Sequence, residues 1–218
     1  MEEKLGLFVV FEGVDGAGKS TLIEGLKQKI REGNYLKKSY KNVLFTREPG
    51  GKNQEFGKHI RELLLNDEYT LNDKTRALLF FAARSEHFEK LIAPALANNS
   101  LVICDRYYLS TFVYQGKGDN EKIAWIRETQ KYISPIAPDV TFFINISIEE
   151  YKKRYENRKN SGNNNKLDEE HHQSYALLSK CYSASLQEGI SGKIIQLNGN
   201  DPIDKLLEIV KENLDLYE

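Results

Sequence analysis

Gly13-Val14-Asp15-Gly16-Ala17-Gly18-Lys19-Ser20 stands directly after an apolar run, Leu7 to Phe11. The stretch has the form G-x-x-x-x-G-K-S, a phosphate loop set between a strand and a helix. Small residues such as Gly13, Gly16 and Gly18 let the backbone curl until several amides face one phosphate group. Lys19 adds a mobile positive charge over the outer phosphates, and Ser20 offers an oxygen to a magnesium ion. Thr21 to Ile30 predicts a helix whose start faces the anion. A nucleoside-triphosphate site is the expectation from which the rest of the chain is read.

Outward from this loop, apolar runs predict buried strands at Leu5–Phe11, Val43–Thr46, Leu101–Cys104 and Val140–Ile146, with a less apolar one at Lys193–Leu197. Helical patterns lie between them, so the expected fold is α/β: a five-stranded parallel sheet with helices on both faces. Phe56, Ile60, Leu63 and Leu64 fall on one helical stripe. Leu78, Leu79, Ala82 and Ala83 predict another helix, beginning after Asn72 or Asp73. Pro94 is expected to kink or restart the following helix. Ser147 with Glu150 reads as a capping box, and Asp201-Pro202 as a cap and first turn. In the last helix Ile203, Leu206, Leu207 and Val210 are expected to face inward.

The chain has 218 residues, a hydrophobic share of 40% and a net charge of -1. That length can bury one sizeable core, and residues 1–218 are expected to form a single domain with a lid at about 150–172. The balanced charge excludes a nucleic-acid coat or a polybasic membrane anchor. Cys104 and Cys181 are the only cysteines, so no disulfide framework is expected. No apolar targeting segment or bilayer-length run appears, and a cytoplasmic location is the expectation.

Arg158 to Lys166 reads Arg-Lys-Asn-Ser-Gly-Asn-Asn-Asn-Lys, which cannot bury a face. It is either a plain surface loop or a mobile lid that excludes water from phosphates.

Candidate site residues cluster at expected strand ends. Asp105-Arg106-Tyr107 follows the third strand, where open sheets bind ligands. Asp105 can hold magnesium or cap a turn; Arg106 can clamp a phosphate with its planar fork. Arg47 follows the second strand in the same way and can reach an acceptor phosphate. A surface ion pair is the plainer reading of either arginine. Phe80 and Arg84 are four apart on one helix, suited to stacking on a planar base and bonding its edge, although Phe80 can equally be core. Tyr114 can pack on a sugar and Gln115 can reach a base edge. Asp15, a carboxylate within an anion loop, is expected to accept from a hydroxyl or from a clamp arginine.

These residues together resemble the thymidylate kinases. The likeness runs through Phe11 to Thr21, Thr46-Arg47-Glu48-Pro49-Gly50-Gly51, Gly57 to Leu64, Leu79 to Arg84, Asp105-Arg106-Tyr107 and Tyr114-Gln115-Gly116. It implies a P-loop NTPase of nucleoside monophosphate kinase type that moves the terminal phosphoryl of ATP to thymidine monophosphate (dTMP), giving dTDP. It also implies a soluble homodimer. Residue by residue, Phe80 would stack on thymine and Arg84 contact its edge. Arg47 and Arg106 would hold the acceptor phosphate, and Asp15 the deoxyribose hydroxyl or the clamp arginine. Tyr114 would disfavour ribose, and Gln115 or Thr111 would approach the base. Lys19, Ser20 and Thr21 would hold ATP and magnesium, with Asp105 behind the ion. Asn198 to Pro202 would wrap the adenine.

Gly16 and Ala17 are small, which matches the family design in which the lid carries the charge. Arg154, Arg158, Lys159 and Lys166 are available for it, with Arg154 expected toward ATP and Arg158 in transfer. That design commonly has an arginine after the lid aspartate; here Glu169 follows Asp168, and Arg158 would take over the role. His171-His172 are unexplained, and alone are not metal ligands. Because the acceptor is already ionised, no general base is needed; Lys19, Arg106 and Arg158 would carry the charge. One rival is a kinase of another nucleoside monophosphate or of a free deoxynucleoside; the latter would need a base at Glu12. Another rival, a nucleotide switch, would leave the Asp105–Gly118 pocket residues without a purpose.

Overall fold

The computed structural model describes residues 6–33, 35–51, 54–66, 69–162, 166–186 and 192–217, and the side chains of all of these except 166–168. Leu5, Asn163 to Asn165 and the side chains of Lys166 and Asp168, which entered the expectations above, lie outside that description.

Five parallel strands form one sheet: β1 (Leu7–Glu12), β2 (Asn42–Arg47), β3 (Ser100–Asp105), β4 (Val140–Asn145) and β5 (Lys193–Asn198). Their order is β2-β3-β1-β4-β5. The three central strands are almost wholly buried, which is why they read as unbroken apolar runs. β2 and β5 lie at the edges and are partly exposed, so Lys193–Leu197 looked less apolar. Register places Phe11 beside Asp105 on one side and beside Phe142 on the other. The carboxyl ends of β1 and β3 therefore finish together, and the switch in strand order opens a crevice there.

Helix α1 (Lys19–Glu32) begins two residues before the expected start, inside the phosphate loop itself. Helices α2 (Glu55–Leu65) and α3 (Asp73–His87) follow β2, and Asn72 caps α3 by accepting from the Thr75 amide at 2.9 Å. A wider helical turn, Phe88–Ile92, joins α3 to α4 (Ala93–Ala97), with Pro94 at its start; the helix restarts there. After β3 come α5 (Tyr108–Thr111), a second wide turn (Phe112–Gly116) and α6 (Asn120–Ile133). Helices α7 (Ile148–Asn160), α8 (Lys166–Gln173) and α9 (Tyr175–Ser185) separate β4 from β5, and α10 (Ile203–Leu214) closes the chain's described order.

Local expectations need correcting at five places. Arg158, Lys159 and Asn160 are helical, because Ser147 nucleates a 13-residue α7 that runs through them. The capping box is half formed: Ser147 accepts from the Glu150 amide at 3.2 Å, but the Glu150 carboxylate turns to Arg154 at 2.7 Å. Asp201 does not cap α10; it pairs with Lys205 at 3.0 Å, and Pro202 occupies the cap position. Ile203 is 38% exposed, while Leu206, Leu207 and Val210 are buried. The α2 stripe is split: Leu64 is buried, but Phe56 is 45% exposed, and Leu78 of α3 is exposed as well.

Candidate active site

The phosphate loop adopts its shape through positive φ at Gly13 (147°), Gly16 (80°) and Gly18 (102°), values that side chains disfavour. The Lys19 ammonium lies over the loop's inner rim, donating to the carbonyls of Gly13 at 2.9 Å and Val14 at 2.8 Å. Burial and then the nearby Arg106 lower its pKa to about 8, against the pull of Asp105, Asp15 and Glu12. Ser20 Oγ donates to Asp105 Oδ2 at 3.3 Å. The other oxygen of Asp105 is buried with no hydrogen-bond partner. Such an orphaned carboxylate oxygen next to a hydroxyl suits a small hard cation whose remaining ligands are phosphate oxygens and water. No trio of His, Cys, Asp or Glu side chains among the described residues offers a self-sufficient metal cage.

A cavity of about 580 Å³ opens from this loop toward α2, α3 and the turn after β3. Gly13, Lys159 and Asn198 to Pro202, expected in the site, are absent from its walls; the Gly13 carbonyl instead anchors Lys19, Arg106 and Tyr182. The cavity brings together Arg47 and Arg106, as expected, and adds Arg61 of α2. Arg106 takes a left-handed φ of 69°, a strained choice for a non-glycine residue just past the end of β3. Its fork donates to Asp15 Oδ1 at 2.6 Å, Ser110 Oγ at 2.9 Å and Tyr182 Oη at 3.1 Å. Burial, then the neighbouring Arg47 and Arg106, pull Arg61 below the usual guanidinium range. Arg47 Nε is buried without a partner. Arg106 is paired with Asp15, but among the described residues Arg47 and Arg61 form no ion pair, and two such guanidiniums beside Arg106 and Lys19 are the electrostatic signature of an anion site.

Burial pushes the Asp15 carboxyl up, but Arg106, His171 and Lys19 outweigh it and hold the group well below the ordinary range. Tyr114 also donates to Asp15, at 3.2 Å. Phe80 faces the cavity while Phe81 packs in the core, edge-on to Trp125. That resolves which of the adjacent phenylalanines is free to meet a ligand. Arg84 lines the cavity but is 1% exposed, and most of its donors are already engaged. They reach Glu48 at 2.7 Å, Gln130 at 2.8 Å and Thr111 at 3.0 Å. Its guanidinium lies over Phe81 and Tyr107 rather than Phe80, because Glu48 draws the fork inward. Thr111 and Gln115 are buried in the same wall. Arg158 also reaches the cavity.

Arg154 ties α7 to the loop and the tail turn, donating to Ala17 at 2.9 Å and to the Gly199 carbonyl at 2.8 Å. It borders a second hollow of about 260 Å³ with Gly199 and Asp201, where the adenine-wrapping segment was expected. Asn198, Asn200 and Pro202 do not line that hollow.

Glu12 is fully buried and is not part of the cavity wall. It accepts from the Tyr107 amide at 2.8 Å, Ser110 Oγ at 2.7 Å and Tyr182 Oη at 3.1 Å, holding the start of α5. A carboxylate so occupied does not serve as a base toward a nucleoside hydroxyl. Arg61, Arg76, Tyr182 and His171 were not foreseen as site residues. Arg61 had a legible signal: it lies one helical turn from Gly57, which packs on the Gly50 turn after Arg47. His171 had none, since its partner Asp15 is 156 positions away.

A phosphate loop facing a second cluster of arginines, on a five-stranded parallel sheet, defines a P-loop kinase of the nucleoside monophosphate type. The thymidylate kinase family model matches residues 11–209. A thymidylate kinase of Ureaplasma parvum is 34% identical over 213 residues, covering 97% of this chain and 90% of that one. Another, of Mycoplasmopsis agalactiae, is 42% identical over 149 residues, 68% of this chain and 67% of its own. The crystal structure of thymidylate kinase from Ehrlichia chaffeensis superposes with a TM-score of 0.70 at 28% identity, covering 96% of this chain and 98% of that chain. The chain belongs to the thymidylate kinase family.

Proposed function

We propose that this thymidylate kinase, which transfers the terminal phosphoryl of ATP to dTMP to give dTDP and ADP, aligns two phosphate groups between the loop at Gly13–Ser20 and the cluster Arg47, Arg61 and Arg106. The observation that carries this reading is the convergence of those three guanidiniums on one cavity with Lys19. Arg47 and Arg61, with no ion pair among the described residues, stand beside the Asp15-paired Arg106 and call for an anion, which an acceptor monophosphate supplies. Its oxygens are ionised near neutral pH, so the protein needs no general base; the engaged Glu12 agrees with that.

In this reading the loop amides, Lys19 and Thr21 hold the donor phosphates. Ser20 and Asp105 hold magnesium, which when bound draws charge from the donor phosphates. Phe80 stacks on the thymine ring, and Arg84, braced by Glu48, presents its cavity-facing edge with Thr111 and Gln115 near the base. Asp15 and Tyr114 face the sugar. Arg158 and Arg154 sit on α7, and α7–α8 forms the lid that excludes water. Phe56 of α2 and Leu78 of α3, both exposed, are apolar side chains that a second copy would cover, in keeping with the family's homodimers. A cytoplasmic location goes with the reading, since both nucleotides are made there. No helix among the described residues is long and apolar enough to cross a membrane.

Calorimetric titration with dTMP and with thymidine tests the acceptor-phosphate assignment. The monophosphate is expected to bind the parent far more tightly than the nucleoside does. Arg47→Ala and Arg61→Ala should erode that difference and leave thymidine binding alone. Equal affinity for the two ligands in the parent protein sinks the assignment.

A further inference from the structure

Helix α8 reaches across the cavity and touches the acceptor side at two adjacent residues. Glu170 pairs with Arg76 of α3 at 2.9 Å. His171 Nδ1 lies 2.7 Å from Asp15 Oδ2. The imidazole also packs on the Tyr114 ring, with centroids 4.3 Å apart and planes at 40°. Asp15 thus has one oxygen on Arg106 and the other shared between Tyr114 and His171. Next along α8, His172 stacks on Tyr155 of α7 at 3.7 Å, which fixes the rotation of the helix.

A histidine donor in this place has a specific consequence. A carboxylate rotates about its last bond unless both oxygens are engaged. Arg106 engages one; the Tyr114 hydroxyl, at 3.2 Å, is a longer contact than the imidazole at 2.7 Å. The same imidazole covers the Tyr114 ring and stops it from swinging out. One side chain on α8 therefore engages both Asp15 of the phosphate loop and Tyr114 of the turn after β3.

We propose that His171 is a positioning residue for acceptor recognition: carried on α8, it orients Asp15 and braces Tyr114, so the sugar-binding wall is complete only when that helix is seated. The proposal rests on the reading that Asp15 and Tyr114 face the acceptor sugar. It accounts for a histidine pair that neither the phosphate loop nor the arginine cluster explains. It also links the seating of α8 to the acceptor wall, since Glu170 meets Arg76 and His171 meets Asp15.

Steady-state kinetics on His171→Ala and His171→Asn test it, with D15N and the double variant D15N/H171A alongside. Asparagine keeps an N–H donor close to the place of Nδ1. H171A is expected to raise the KM for dTMP about tenfold, the loss of one hydrogen bond to a charged group, with the KM for ATP unchanged. It should also reduce the preference for dTMP over the ribose counterpart. H171N should recover most of the dTMP KM. The double variant should lose less than the sum of the two single variants, because His171 acts in part through Asp15. A dTMP KM equal to the parent's in H171A, or additive losses in the double variant, overturns the proposal. If D15N also leaves the dTMP KM unchanged, the sugar-wall reading falls with it; if D15N raises it and H171A does not, only the role of His171 falls. Should H171A fail to fold, judged by its far-UV spectrum, the H171N and H171F pair decides: only the former keeps the donor, so equal dTMP KM values in the two overturn the proposal.

Discussion

Arg106 Nη2 donates to Asp15 Oδ1 at 2.6 Å across 91 positions of sequence, tying the end of β3 to the middle of the phosphate loop. The contact explains why a carboxylate is tolerated in an anion-binding loop. It neutralises part of the guanidinium and aims the rest of the fork at the cavity. Its energetic consequence appears on the acid side. The Asp15 carboxyl is held well below its usual range, so its contribution to stability is present above the ordinary aspartate pKa of 3.8 and is lost as pH falls through the folded value. Asp15→Asn should therefore be less stable than the parent near neutrality, with the gap in urea midpoint closing between about pH 5 and about pH 2. A gap that stays constant over that range contradicts the coupling.

Lys19 sets the alkaline behaviour. Its ammonium is charged below about 8 and neutral above, well under the ordinary lysine value of 10.5. The kcat/KM for ATP of the free enzyme should fall as pH rises through about 8. Lys19→Ala should lose this limb. It should also cut kcat about 100-fold or more while the affinity for dTMP changes little, because the charge is needed most in the transition state. A variant with near-parental turnover removes Lys19 from the mechanism.

Phe80→Ala removes the ring that faces the cavity. The KM for dTMP should rise about tenfold or more, the worth of one base stacked on an aromatic ring, and the KM for ATP should not move. Phe81→Ala acts elsewhere: it opens the core beside Trp125 and should lower stability by about 3 kcal/mol. Interchanged phenotypes would reverse the assignment of the two residues.

Glu48 and Arg84 form an ion pair whose side chains are 3% and 1% exposed. Glu48→Ala leaves the guanidinium buried without its counter-charge and should cost about 3 kcal/mol or more in urea unfolding. His87 and Thr46, 2.7 Å apart, continue this buried chain, so local repair by water is restricted. Parental stability in that variant means the site admits water freely.

Phe56→Asp places a charge at an exposed apolar side chain of α2. Sedimentation velocity should show the parent as a dimer and this variant as a monomer. A monomeric parent rejects that face as an interface.

Much of the fold was legible because the signals are short-ranged. The phosphate loop needs glycines at fixed spacing to reach positive φ, and the central strands need continuous apolar runs because both their faces are covered. The residues just past those strands, Arg47, Asp105 and Arg106, were legible for the same reason: parallel strands end at one edge. Phe80 against Phe81 was not legible, since neighbours on a helix differ by only about 100° and either could face inward. The split α2 stripe was not legible because a covered stripe and a partly exposed one look alike in one dimension.

Backbone geometry and strand burial depend on a few neighbouring residues, and so the phosphate loop, the parallel sheet and the residues at its carboxyl edge are written directly in the chain. Which charges meet is another matter. Arg84 turning to Glu48, Arg61 joining Arg47, and His171 reaching Asp15 each depend on how distant segments pack, and Coulomb and hydrogen-bond energies are decided within a few ångströms of space, whatever the separation along the chain.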